Sequence, residues 1–276
     1  MTFARKIIII SASSDIGTEM CLKYLEEGWA VFGSYKTETD NIDKLKSLGA
    51  SLVYCDLLDL DSTKGATIEL IEKCKSWDVL VLCPGTQKPI GRFIDCDFNA
   101  WEESLAVNFS RQIYIVRELL SCRNIENERT PTVLFFAGGG TNNATVNYSA
   151  YTVSKIALIK MCELLDAEIE DTKFSIVGPG WVKTKIHQET IAAGTKAGDN
   201  LQKTKTRLAE NAFTSMEDVL ASCDWIINAP REIVGGRNFS TAFDLWGSKE
   251  LDDELKNNYD MYKLRRHGNN FKNRNG

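Results

Sequence analysis

Tyr151 and Lys155 lie four residues apart in "YSAYTVSK", and on an α-helix that spacing puts a phenol and an ammonium group one turn apart on one face. A phenol so placed can give or take a proton at a carbon–oxygen bond, and a neighbouring cation pulls its pKa down from an ordinary ~10. Spacing alone does not decide the matter, because "YDMYK" repeats it at Tyr259 and Lys263. The two histidines, His187 and His267, are too few and too far apart to suggest a metal site, so no metal is expected.

The elements that must position such a pair can be read from the apolar runs. "KIIII", "AVFGSY", "SLVYCD", "DVLVLC", "TVLFFA" and "FSIVG" are short and rich in β-branched residues, and longer amphipathic segments separate them. That alternation predicts βαβ units, and strands without in/out alternation predict a parallel sheet buried on both faces. The fold class expected is α/β, a doubly wound Rossmann-type sheet with helices on both faces in a single domain. In the first helical segment, "GTEMCLKYLEEG", Met20, Cys21, Tyr24 and Leu25 fall on one side and Gly28 is a C-cap. Residues 1–262 form the expected domain, 181–214 an insertion that serves as a substrate lid, and 263–276 a basic polar tail.

Composition narrows the function class. The 276 residues carry a net charge of −5, which gives no support for a nucleic-acid-binding surface. Eight cysteines without a C-x-x-C pair, most within apolar runs, suit a reducing cytoplasm. No apolar run approaches the ~20 residues of a membrane helix, and "IIII" is too short for a secretory segment. A cytoplasmic protein acting on a small molecule, without nucleic acid or membrane as partner, is therefore expected.

The first strand is followed by "ISASSDIG", the fourth ends in "LCPG", and "AVNFS", "YTVSK" and "GPGWVKT" come later in that order. With these five segments the chain resembles the short-chain dehydrogenase/reductase family from residue 5 to about 245. The resemblance singles out Tyr151 and Lys155 as the catalytic pair, leaves Tyr259 and Lys263 outside the pattern, and gives Asn108 the part of the active-site asparagine. It implies an NAD(P)-dependent oxidoreductase, with Ser11, Ser13, Ser14, Asp15 and Ile16 at the cofactor's phosphates. Asp56 and Leu57 would lie at the adenine, Pro84 and Gly85 beside the nicotinamide ribose with Tyr151 and Lys155, and Pro179, Val182 and Thr184 over the nicotinamide. At the end of the second strand Tyr35 and Lys36 stand where an acid would select NAD, so the resemblance implies NADP, with NAD less favoured and Asp40 as a competing acid. It also implies a homodimer or homotetramer assembled through the helix of Tyr151 and the next one.

The chain departs from the family pattern in its first loop, where Ser11 and Asp15 replace glycines, in "LCPG", and at residue 138. There the family carries a serine that steadies the substrate oxygen, and this chain has Gly138. Thr141 is the candidate replacement and Ser149 the reserve, and a third reading is that neither reaches the substrate. The glycine run and the tail "YKLRR" resemble dehydrogenases of bacterial surface-polysaccharide or sugar-nucleotide pathways. Two alternatives stand beside an oxidoreductase: an inactive NADP-binding regulatory or assembly protein, and an epimerase or dehydratase that retains its cofactor.

Overall fold

The computed structural model describes residues 4–126 and 129–267. Seven parallel strands form one sheet in the order β3-β2-β1-β4-β5-β6-β7. They are β1 (Lys6–Ile10), β2 (Ala30–Tyr35), β3 (Ser51–Tyr54), β4 (Val79–Leu82), β5 (Thr132–Phe136), β6 (Lys173–Gly178) and β7 (Asn238–Ser240). Six match the apolar runs read from sequence. The seventh, with the sequence "NFS", is too short and too polar to announce itself. Ile7, Ile8, Ile9 and Ile10 are at most 1% exposed, so the sheet's centre is buried on both faces at roughly 1.5–3 kcal/mol per side chain.

Helices cover both faces. One layer contains α1 (Asp15–Glu26), α2 (Asp40–Ser47) and, from the far end of the chain, α9 (Met216–Asn228) with α10 (Arg231–Val234) and α11 (Lys249–Asn257). The other contains α3 (Leu60–Cys74), α5 (Arg111–Leu119) and α6 (Ser149–Glu168), with α4 (Phe98–Leu105) packed on α6. Helix α1 begins where the Ser14 hydroxyl accepts from the Gly17 amide, and buries Met20, Cys21 and Tyr24 as the spacing indicates. It ends just before Gly28, whose φ of +79° is the left-handed conformation that stops a helix.

Segment 181–214 holds α7 (Ile186–Ala193) and α8 (Asp199–Glu210), and its two ends meet where the Thr214 amide donates to the Trp181 carbonyl at 2.8 Å. Neighbours of β1 are β2 on one side and β4 on the other. The chain thus reverses its winding beside β1, and a crevice opens at the carboxyl ends of the strands. Part of the tail, 268–276, lies outside the described residues. In its described part Arg265 pairs with Glu163 of α6 at 2.8 Å. No helix among the described residues is long and apolar enough to cross a membrane.

Candidate active site

A cleft of about 2230 Å³ runs along the carboxyl edge of the sheet. Ser11, Ser14, Asp15, Ile16, Lys36, Pro84, Gly85, Tyr151, Lys155, Pro179, Val182 and Thr184 all line it. A smaller pocket opens beside it between the ends of β2, β3 and β4, lined by Tyr35, Lys36, Asp56 and Leu57. Of the sixteen cofactor residues expected from sequence, twelve therefore line the cleft and three more, Tyr35, Asp56 and Leu57, line the pocket beside it. Ser13 does not line the cleft, because the turn closed by the Ser14 amide on the Ser11 carbonyl, 3.0 Å, presents its first and last residues to the groove. Ser11 keeps a φ of +68° although it is no glycine, which costs it roughly 1–2 kcal/mol.

Helix α6 carries Tyr151 and Lys155 on one face, as their spacing requires. The Lys155 ammonium donates to the Phe136 carbonyl at 2.9 Å and to the Pro84 carbonyl at 3.4 Å, and is 3% exposed. Burial pushes its pKa down to about 8. Burial, and then the negative charge of Glu189, push the Tyr151 phenol up to about 12. The second tyrosine–lysine pair has no such geometry. Tyr259 is 66% exposed in a turn beyond α11, and the Lys263 ammonium packs 3.3 Å from the centre of its ring.

Asn108 sits one layer behind the cleft rather than in its wall. It lies on a turn of π-helix, Ala106–Ser110, and is fully buried. Its carbonyl oxygen accepts from the Thr86 amide at 2.9 Å, and its NH₂ donates to the Thr86 carbonyl at 2.8 Å and to Ser104 Oγ at 3.0 Å. The side chain thus grips the backbone just beyond β4 on both sides. Such π-turns cluster at functional positions.

The two hydroxyls named for the empty serine position separate cleanly. Thr141 lines the cleft. Ser149 does not, because its hydroxyl accepts from Trp101 Nε1 at 3.0 Å, on the side of α6 that faces α4. Gly138 is filled in an unforeseen way: a Cβ there would stand 2.5 Å from Tyr151 Oη and 2.7 Å from Cζ. The space a serine would need belongs to the phenol.

Lys36 extends from the end of β2 and pairs with Asp56 Oδ1 at 2.9 Å. Tyr35 accepts from Lys46 at 3.2 Å, and Asp40 lies in the first turn of α2 and does not line the cleft or the pocket. No acid competes with Lys36 from position 40.

Residues of segment 181–214 complete the walls, and sequence reasoning missed them. Glu189 accepts from the Gln87 amide at 2.6 Å and from the Thr86 hydroxyl at 3.1 Å. Trp181 stacks on His187 with ring centres 3.8 Å apart, and Arg207 covers Trp181 at 5.0 Å. The Glu189 contacts join segments about a hundred residues apart, and nothing in the sequence pairs them.

A dinucleotide fits the donors present: the N-terminus of α1, the Lys36 and Lys155 cations, and one continuous groove between them. The family model for short chain dehydrogenases matches residues 5–194. The chain belongs to the short chain dehydrogenase family. It is an NAD(P)-dependent oxidoreductase by that membership. It is similar to serine 3-dehydrogenase of Rhizobium radiobacter, 21% identical over 82% of this chain and 89% of that one. Similarity extends to 2-keto-3-deoxy-L-fuconate dehydrogenase of Xanthomonas campestris pv. campestris, 26% identical over 68% of this chain and 62% of that one. A short chain dehydrogenase/reductase structure from Saccharomyces cerevisiae superposes with a TM-score of 0.75 at 20% identity, covering 91% of this chain and 99% of that one.

Proposed function

We propose that the protein is an NADP(H)-dependent oxidoreductase that interconverts a hydroxyl and a carbonyl on a sugar or sugar-nucleotide. The observation that carries this reading is the shared placement of Tyr151 and Lys155 on one helix turn in one cleft wall, with Lys155 held by the Phe136 and Pro84 carbonyls.

Bound nicotinamide supplies or accepts the hydride. The phenol of Tyr151, kept protonated by burial and by Glu189, gives its proton to the substrate oxygen as the carbon–oxygen π bond closes onto that oxygen, and takes it back in the reverse direction. Lys155 holds the ribose hydroxyls and favours the phenolate left behind. Asn108 fixes the backbone at Thr86 and so shapes the wall facing the pair. Thr141 is the hydroxyl assigned to steady the substrate oxygen. Gly138 supports an active enzyme over an inactive binding protein, because the residue taken for a loss makes room for the phenol.

Lys36, with a tyrosine and no acid at position 35, supports NADP, since a cation at this strand end can pair with a 2′-phosphate. Gln87, Asn142, Asn143, Asn200 and Lys203 line the substrate half of the cleft, a set of side chains suited to a polyhydroxyl compound. The deoxysugar-acid relative points the same way. Segment 181–214 is the substrate lid of a single domain spanning 1–262. Assembly into a homodimer or homotetramer through α6 is supported by its exposed Val153 and Leu164. The test is NADPH consumption by the purified chain against keto-sugars, oxidised sugar-nucleotides and simple ketones. Turnover with sugar-derived carbonyls is expected, and turnover confined to apolar ketones would remove the sugar assignment.

A further inference from the structure

The first loop carries an acid at Asp15, where the family pattern has glycine and where a dinucleotide's phosphates would lie. An acid there is unfavourable for an anionic ligand unless something cancels its charge. It is not needed to cap α1, since Ser14 already accepts from the Gly17 amide. The carboxylate turns across the groove instead. Asp15 Oδ2 accepts from the Lys185 amide at 2.6 Å, and Oδ1 lies 3.7 Å from the Lys185 ammonium.

Lys185 is the residue that opens α7, and its own side chain makes no cap to that helix. Asp15, from the opposite wall, takes the amide at that end. Thr184, the residue before, lines the cleft, and one turn further Glu189 ties α7 to the Thr86–Gln87 backbone. Helix α7 is thus fastened to both walls of the groove.

We propose that Asp15 is a positioning residue: it fastens the start of α7 to the phosphate loop, so that Thr184 is set in the groove wall before cofactor arrives, while Lys185 cancels the acid's charge toward the phosphates. The consequence for cofactor rests on the family reading of the groove. The fastening does not.

Hydrogen exchange on the cofactor-free chain reads the fastening directly, because exchange reports local opening. Asp15→Ala removes a charge-assisted acceptor and should speed exchange in peptides covering 184–190 about tenfold or more, with the β1 and β4 peptides unchanged. Asp15→Asn, which keeps an acceptor oxygen, should retain most of the protection. Lys185→Pro approaches from the other wall. The φ of −56° at Lys185 already suits proline, so this change deletes the amide donor, leaves the phosphate loop intact, and should release the same peptides. Wild-type exchange at 184–190 in both Asp15→Ala and Lys185→Pro would overturn the proposal. Calorimetry with NADPH then tests the second half: Asp15→Ala should bind about tenfold more weakly than wild type. Tighter binding would show that the acid acts as an uncancelled charge, and would overturn that half. Failure of the wild type to bind NADPH would refute the cofactor reading while the exchange result stood on its own.

Discussion

The hydroxyl of Tyr151 occupies the space beside Gly138 so closely that a Cβ on residue 138 would stand 2.5 Å from it. Something must move if a side chain is added there, and what moves is the phenol assigned to proton transfer. Gly138→Ala should therefore cut kcat at least tenfold while leaving NADPH affinity within about threefold, because the Lys155 contacts are untouched. Gly138→Ser, which restores the family's residue, should fail to improve the rate for the same reason. Steady-state kinetics alongside calorimetry on both variants check this, and a Gly138→Ser enzyme faster than wild type would refute it.

Lys155 makes stability depend on pH with a definite sign. Its folded pKa, about 8, lies below the ordinary 10.5, so between those values the unfolded chain binds more protons than the folded one. Stability contributed at this site therefore rises as pH climbs through about 8 to 10, and the burial cost is present in full below about 8. Lys155→Met should stabilise the cofactor-free protein at neutral pH by up to about 3 kcal/mol, a gain that shrinks as pH rises through that window. Denaturant melts of both proteins at several pH values measure it, and a gain that grew with pH would contradict the assignment.

The proposed preference for NADP rests on Lys36. Its ammonium pairs with Asp56 at 2.9 Å and is half exposed, a weak partnership that a phosphate can displace. Lys36→Asp should weaken NADPH binding about tenfold or more and leave NADH nearly unchanged, as a charge-assisted contact is worth roughly 1.5–3 kcal/mol. Equal NADPH and NADH dissociation constants in the wild type would end the idea.

Thr141 remains the one hydroxyl of the two that faces the cleft. Thr141→Val keeps its shape and removes the hydrogen bond, so kcat should fall ~10²-fold if it steadies the substrate oxygen. Unchanged turnover on the preferred substrate would assign that task to backbone or water.

Much of this was legible because local signals carried it. Apolar runs such as "KIIII" marked the buried strands, and Ser11, Lys36, Pro84, Tyr151 and Thr184 could be placed at one groove because strand ends of a parallel sheet share an edge. Contacts with no sequence period were not legible. Glu189 with Thr86, and Asp15 with Lys185, join residues 103 and 170 positions apart. Gly138 read as an absence because its partner, the Tyr151 ring, packs from another element. Ser149 misled for the converse reason, since position in the chain did not show that its hydroxyl faces Trp101.

On the proposed mechanism Tyr151 moves the proton while Lys155 and the groove hold the cofactor. NADPH oxidation by Tyr151→Phe, measured on the best carbonyl substrate together with its NADPH dissociation constant, tests it most directly. The expected result is a loss of turnover of ~10²-fold or more, with NADPH affinity within about threefold of wild type. A Phe variant that kept more than about a tenth of the wild-type rate would contradict it, because general acid–base groups contribute ~10²-fold or more.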